Sequence, residues 1–252
     1  MLNRILIVQA IIKRINAVRY LEIGVSKGEA FLSIGAKQKF GVDPVNLLRI
    51  HERKLSKDNL ILEAKKVHRT FLSLIGKEDV RFFEMTSDDF FDREKKLLSE
   101  RKIDVAFIDG LHSYDQALRD VRNCLPYLAP NGIIILHDCN PITKAMGTPA
   151  DSFAEAESKN APDWDKLWCG DVWKVITNLR SLKKDLYTFV LDCDFGIGVV
   201  TRGPVENALT YTKEQIDMLN NQDLERDRVR LLNLKPVSYF YPFLNSLSKI
   251  PQ

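Results

Sequence analysis

The run Ile103–Ile108 is apolar apart from Asp104 and stops on Asp109-Gly110. After the turn Pro130-Asn131-Gly132, the run 133–136 is wholly apolar and stops on His137-Asp138-Cys139-Asn140-Pro141. A short unbroken apolar run is the pattern of a strand buried on both faces of a parallel sheet. Two such runs closing on carboxylates put acids at the carboxyl edge of that sheet, where open α/β folds bind their ligands. Between them Ser113 and Gln116 read as a capping box, and Tyr114, Ala117, Leu118, Val121 and Leu125 give the next helix its core stripe. Strand, helix and strand in alternation select an α/β architecture.

The alternation extends both ways. Arg19–Ile23 stops at Gly24, and a second short strand, 39–42, stops at Asp43-Pro44. Leu60, Ala64, Val67, Phe71 and Leu74 recur at helical spacing up to a capping Gly76, with Lys65, Lys66 and Arg69 on a solvated face. A third strand is expected over 80–84, then the acidic-aromatic turn 87–91 and a charged helix. Residues 171–182 predict a helix, and 188–191 and 197–201 two last strands whose short link requires an antiparallel pair. Residues 2–16 form an amphipathic helix with Leu2, Ile5, Val8, Ile12 and Ile15 on its apolar face and Arg4 and Arg14 turned to water. This divides the chain into an N-terminal helix (1–17), an α/β domain (18–203) with an excursion over its edge (142–170), and a helical tail (204–252). The tail carries a capping box at Thr212 and Gln215, and its aromatic cluster 239–243 suits a homodimer contact.

The 252 residues, 45% of them hydrophobic, suffice for one such domain with extra segments. With 37 basic against 34 acidic side chains, the net charge of +3 gives no argument for nucleic acid or an anionic membrane. The apolar stretch 5–12 is broken by Gln9 and followed by Lys13 and Arg14, so it predicts neither a membrane span nor a signal peptide. Cys124, Cys139, Cys169 and Cys193 form no CxxC pair and read as reduced thiols, which predicts a cytoplasmic protein.

Two places carry chemistry. In the turn from Glu22 to Gly28, glycines permit close backbone approach to a ligand, and Asp43, nineteen residues after Gly24, is placed for ribose hydroxyls. Asp109 and Asp138, flanked by His112 and His137, bring oxygen ligands within reach of one cation, which suits Mg²⁺ or another hard divalent ion. A neutral His112 can accept a hydroxyl proton near pH 7. Trp164 and Trp168 read either as a stacking platform for a sugar or as packing for the excursion, and Trp173 as packing. Cys139 is expected to point away from its neighbours.

Leu21-Glu22-Ile23-Gly24, Gly41-Val42-Asp43-Pro44, Phe107 to Tyr114 and Leu136 to Pro141 follow one another in an order that resembles the class I methyltransferases, in particular methyltransferase family 24. The resemblance covers roughly residues 18 to 203. It implies a Rossmann-like, seven-stranded, mostly parallel sheet with an antiparallel last strand, helices on both faces, and S-adenosylmethionine as methyl donor. It further implies that Glu22 and Gly24, in the turn with Ser26 and Gly28, meet the amino-acid end of the donor, Asp43 the ribose, and Thr86, Ser87 and Asp88 the adenosine. Ser26 departs from the family pattern, standing where many relatives have their middle glycine. The strand ends are similar to those of metal-dependent sugar and catechol O-methyltransferases, which implies His112 as the base. The implied ligand set is Asp109, His137 and Asp138, or Asp109, Asp138 and Asn140. His137 stands where sugar-modifying relatives often carry an acid, and imidazole favours Mn²⁺, Fe²⁺ or Zn²⁺ over Mg²⁺. A metal-free site, with Asp109 and Asp138 serving the donor or orienting groups, stays open. The expected activity is O-methylation of a small hydroxylated acceptor, a sugar of a glycan or natural product. The alternatives are metal-free N- or C-methylation, a non-catalytic nucleotide-binding or scaffold domain, and, more weakly, an NAD-dependent oxidoreductase.

Overall fold

Alternate side chains of a strand leave opposite faces of its sheet, and here both faces of the central strands are apolar. The structure, a computed structural model, describes residues 2–45, 79–159 and 161–248. The helix expected over residues 60–74, its cap at Gly76 and the Lys65, Lys66 and Arg69 face lie outside the described residues. The strands are β1 (Arg19–Ile23), β2 (Gln38–Val42), β3 (Asp79–Phe83), β4 (Ile103–Ile108), β5 (Leu128–Leu136), β6 (Leu186–Leu191), β7 (Ile197–Arg202) and β8 (Leu234–Lys235). They form one sheet in the order β3-β2-β1-β4-β5-β7-β6-β8. Among the described residues, only the β5–β7 and β6–β7 pairings are antiparallel. The architecture is the expected Rossmann-like one with β7 reversed, and the strand count among the described residues is eight rather than seven. The extra strand is two residues of the tail that pair with β6 and cover its edge.

Leu21, Ile23, Ala106, Ile108, Ile134 and Leu136 face one layer. That layer contains α3 (Ser87–Arg93), α4 (Lys95–Glu100), α5 (Tyr114–Cys124), α7 (Trp173–Leu182), α8 (Lys213–Met218) and α9 (Asn221–Leu232), and α6 (Phe153–Ser158) lies in the excursion. Tyr20, Val105, Phe107, Ile133 and Ile135 face the other layer, with α1 (Arg4–Ile15), α2 (Glu29–Ser33) and α10 (Phe240–Ser246). The buried stripe of α1 is Ile7, Val8, Ile11, Ile12 and Ile15, whereas Leu2 and Ile5 are only partly covered. Phe240 and Phe243 of the tail are buried in this layer, and Phe243 meets Phe189 edge-on at 4.9 Å. Two rings of the aromatic cluster expected to serve a dimer are thus spent inside the chain, while Tyr241 stays exposed.

Three local expectations change. Pro130-Asn131-Gly132 is no turn but an irregularity within β5, where the β4 pairing jumps from Ile103↔Leu128 to Val105↔Ile133. The turn expected over 87–91 is the helix α3, because Thr86 caps it by accepting the Asp89 backbone N–H at 3.1 Å. The capping box of Ser113 and Gln116 does not form, since Asp171 takes the Tyr114 backbone N–H at 2.7 Å and Gln116 turns to Ser87 and Asp120. Among the described residues, no helix is long and apolar enough to cross a membrane.

Asp104, the charged residue inside β4, is 2% exposed and accepts the backbone N–H groups of Val18 and Arg19 at 2.7 and 2.9 Å. It fixes the chain where α1 turns into β1. Replacing Asp104 by Leu orphans two amides and should cost about 2–4 kcal/mol of unfolding free energy, read from urea denaturation. A change under ~0.5 kcal/mol would show that water takes over the role.

Candidate active site

The turn after β1 leaves room for no side chain at its first position. Gly24 has φ +86°, and a Cβ there would lie 2.0 Å from the carbonyl oxygen of Asp109. The glycine turn and the end of β4 are therefore in backbone contact, and together they floor a cleft of about 850 Å³ along the carboxyl edge of the sheet. Beneath the turn Glu22 is buried, its carboxyl accepting the Tyr20 hydroxyl and the Phe31 backbone N–H, and burial pushes its pKa up to about 8. Ser26 takes a left-handed conformation (φ +47°) and donates its backbone N–H to Asp43 at 2.8 Å. The other Asp43 oxygen takes the Val45 N–H at 2.8 Å. Glu22, Gly24, Ser26 and Asp43 all line the cleft, whereas Gly28, at φ +81°, opens the five-residue α2 behind the turn.

Thr86, Ser87 and Asp88 form the far end of the cleft at the start of α3. Sequence reasoning missed their neighbours in this wall, Gln116 and Asp120. Gln116 Nε2 bridges Ser87 Oγ and Asp120 Oδ1, each at 3.1 Å. Asp120 is 1% exposed, and burial raises its pKa to about 6 against the opposing pull of Ser87 and Gln116.

At the middle of the cleft, an extended chain continuing from β5 would send consecutive side chains to opposite faces. Asp138 escapes this by adopting φ +58°, so that His137 and Asp138 both turn to one point. His137 Nδ1 lies 3.0 Å from Asp138 Oδ2 and 3.3 Å from Asp109 Oδ1. Asp109, His137 and Asp138 each offer a ligand atom within 4.8 Å of the others. Burial opposes the charge on His137, but Asp109 and Asp138 hold its pKa well above the ordinary value. Burial likewise opposes ionisation of Asp109, and His137, His112 and Arg4 bring its pKa below the usual range. Cys139 is buried and donates toward the carbonyl of His137 at 3.5 Å, away from the cluster. Asn140 does not line the cleft, since its amide donates to Asp192 at 3.0 Å and its oxygen accepts from Arg228.

Behind His137 stands a third carboxylate. Asp194, in the β6–β7 link, lies 3.7 Å from His137 Nε2, a buried atom with no hydrogen-bond partner, so the pair attract as charges. Asp194 accepts the Arg4 backbone N–H at 2.7 Å and the Arg4 guanidinium at 3.3 Å. Although burial opposes ionisation, His137 and Arg4 bring Asp194 down to about 2. Arg4, expected to meet water, is therefore a wall of the cleft, with Phe195 beside it. Nothing in the local sequence signals this, because α1 and the β6–β7 link meet only in the folded chain.

His112 is held from the excursion. Its Nδ1 is 2.6 Å from the carbonyl oxygen of Trp168, and the two rings stack at 5.1 Å. A carbonyl only accepts, so Nδ1 carries the proton in the neutral ring and Nε2 is the free base. That Nε2 faces Asp138 at 3.3 Å and Asp109 at 3.7 Å. Gly170, at φ +58°, packs so closely that a Cβ would lie 1.7 Å from the His112 carbonyl oxygen. Trp164 packs on Phe153 at 5.7 Å and does not line the cleft, and Trp173 is fully buried in α7.

The residues present suit two groups. The glycine cradle and Asp43 fit a nucleoside with an extended polar tail, and two carboxylates with an imidazole fit a divalent cation.

Residues 21–139 match a family model described as a methyltransferase domain. Among solved structures, the chain is similar to a candidate O-methyltransferase from Klebsiella pneumoniae, with 16% identity, 78% of each chain covered and a TM-score of 0.50. It is also similar to an O-methyltransferase from Bacillus cereus in complex with SAH, at 13% identity, 77% and 79% coverage and a TM-score of 0.46. A third is an SAH-bound methyltransferase from Podospora anserina, at 18% identity, 81% and 80% coverage and a TM-score of 0.47. At such identities the first likeness speaks for the fold. No curated protein matches the sequence significantly.

The raised pKa of Asp120 has a definite sign. Between the ordinary carboxylate value and about 6 the folded chain holds a proton that the unfolded chain has released, so stability falls as pH rises through this window and then levels off. Asp120→Asn should remove that slope, gaining up to about 3 kcal/mol at pH 7.5 while staying near wild type at pH 4. Urea titrations at the two pH values check this, and equal wild-type and variant slopes would refute it.

Proposed function

Taking as premise that the chain carries a class I S-adenosylmethionine-dependent methyltransferase domain, we propose that it methylates a hydroxyl of a small acceptor. The acceptor class is one with neighbouring oxygens, as in a sugar of a glycan or natural product. His112 serves as general base, and Asp109, Asp138 and His137 seat a divalent cation. The observation that carries this reading is the contact of His112 Nδ1 with the Trp168 carbonyl, which turns a proton-accepting Nε2 toward the carboxylates of the cleft floor.

The bound donor supplies a methyl group on a sulfonium, open to in-line attack by an oxygen. His112 Nε2 takes the hydroxyl proton, and the imidazolium so formed is stabilised by Asp138 at 3.3 Å and Asp109 at 3.7 Å. The Trp168 carbonyl holds the ring in place through the transfer. Leu111, Leu167 and Trp168 line the mouth above and exclude water from the reacting oxygen. Asp109 and Asp138 provide oxygen ligands and His137 Nδ1 a nitrogen ligand for a cation, whose contribution would be to acidify the acceptor hydroxyl. The imidazole in the set favours Mn²⁺, Fe²⁺ or Zn²⁺. A metal-free reading draws on the same cluster, because a protonated His137 already satisfies Asp109 and Asp138.

His112→Gln should lower kcat about 10²- to 10⁴-fold, with affinity for S-adenosylhomocysteine within about twofold of wild type. A variant with wild-type kcat would remove the base from the mechanism. Calorimetry with Mn²⁺ should show one site, weakened at least about tenfold in Asp138→Asn, and full turnover after exhaustive chelation would decide for the metal-free reading.

A further inference from the structure

We infer that Arg4 is the receptor for the carboxylate at the amino-acid end of the donor, so that helix α1 forms part of the donor site. The inference rests on the donor reading above and extends it to a residue outside the matched domain.

Arg4 lines the cleft between the glycine turn, at Ser26 and Ala30, and the Asp194-Phe195 link. Its backbone N–H is firmly bound to Asp194 at 2.7 Å, but its guanidinium is not tightly claimed. The distances are 3.3 and 3.4 Å to the two Asp194 oxygens and 3.4 Å to Glu29. Charge-assisted pairs of good geometry are shorter, about 2.7–2.9 Å. The side chain is 25% exposed and the Glu29 side chain 66%, so one of its two partners is largely solvated and worth little. A planar guanidinium suspended between two carboxylates is preorganised for a third that docks as a fork.

The surroundings favour that use. Glu29 and Asp109 line this end of the cleft and Asp194 stands behind Arg4, and this acidic surround suits the ammonium of a zwitterionic amino acid and repels its carboxylate unless a cation receives it. Among the described residues, Arg4 and Lys27 are the cations that line this part of the cleft besides the histidines, and Lys27 is exposed at the rim. Arg4 is delivered rigidly, because Ile7, Val8, Ile11, Ile12 and Ile15 bury α1 on the sheet. Arg14 ties the same helix to the carbonyls of Leu244 and Asn245 at 2.9 and 2.6 Å.

The test is calorimetry on the full chain with two ligands, S-adenosylhomocysteine and its decarboxylated analogue, which lacks only the carboxylate. Wild type should prefer S-adenosylhomocysteine by about tenfold or more. Arg4→Gln should lose about 10- to 100-fold for S-adenosylhomocysteine and stay within twofold for the analogue, whereas Lys27→Ala should not discriminate. Arg4→Lys, which keeps the charge and the helix, should show a smaller loss confined to S-adenosylhomocysteine. Equal losses for both ligands would make Arg4 a structural residue and overturn the inference. So would an unchanged affinity in Arg4→Gln, or a wild type that binds the two ligands alike. A wild-type chain that binds neither ligand would instead overturn the donor reading itself, and this inference with it.

Discussion

Three carboxylates converge on one imidazole, and the arrangement of the chain around the cleft depends on that meeting. Asp109 follows β4, Asp138 lies just beyond β5 and Asp194 belongs to the β6–β7 link, so His137 draws three separate segments together. Without a cation between them, like charges at this spacing in a partly dry site would push one another apart or take up protons. When no metal is bound, a protonated ring, with Nδ1 toward two of the acids and Nε2 toward the third, lets all three stay ionised. Arg4 adds a further positive charge from α1, and the first helix is thereby tied to the end of the sheet.

Behind the cluster the backbone is held in conformations that few side chains favour. Asp194, Phe195 and Gly196 follow one another at φ +47°, +58° and +91°. The reward is a pair of carbonyls, Phe195 and Gly196, that accept the N–H groups of Asn140 and Cys139 at 2.8 and 3.0 Å. These bonds fix the segment that follows Asp138, and Asn140 completes the brace through Asp192 and Arg228. Strained turns of this kind persist where the surroundings over-determine them. Asn140 thus supports the cleft from behind it. The excursion plays a matching part on the open side, with Trp168, Gly170 and Asp171 gripping His112 and the start of α5.

By itself the amino-acid sequence determined the α/β class, the strands β1, β2, β4 and β5, and the edge at which Gly24, Asp43, Asp109 and Asp138 assemble. Each of these is written in adjacent residues, since burial on both faces favours short, largely apolar runs and a parallel sheet presents its ligand-binding groups at the carboxyl ends of its strands. The tertiary structure alone decided that Arg4 faces the cleft rather than water, that Asp194 stands behind His137, that Asp120 is buried in the wall, and that the Trp168 carbonyl chooses the tautomer of His112. It also turned the tail inward, where Leu234–Lys235 extend the sheet and Phe240 and Phe243 fill the core. Such contacts join residues far apart in the chain, as with Arg4 and Asp194, 190 positions apart. No local periodicity can encode them, because side-chain burial and pairing depend on which distant segment the folded chain brings alongside.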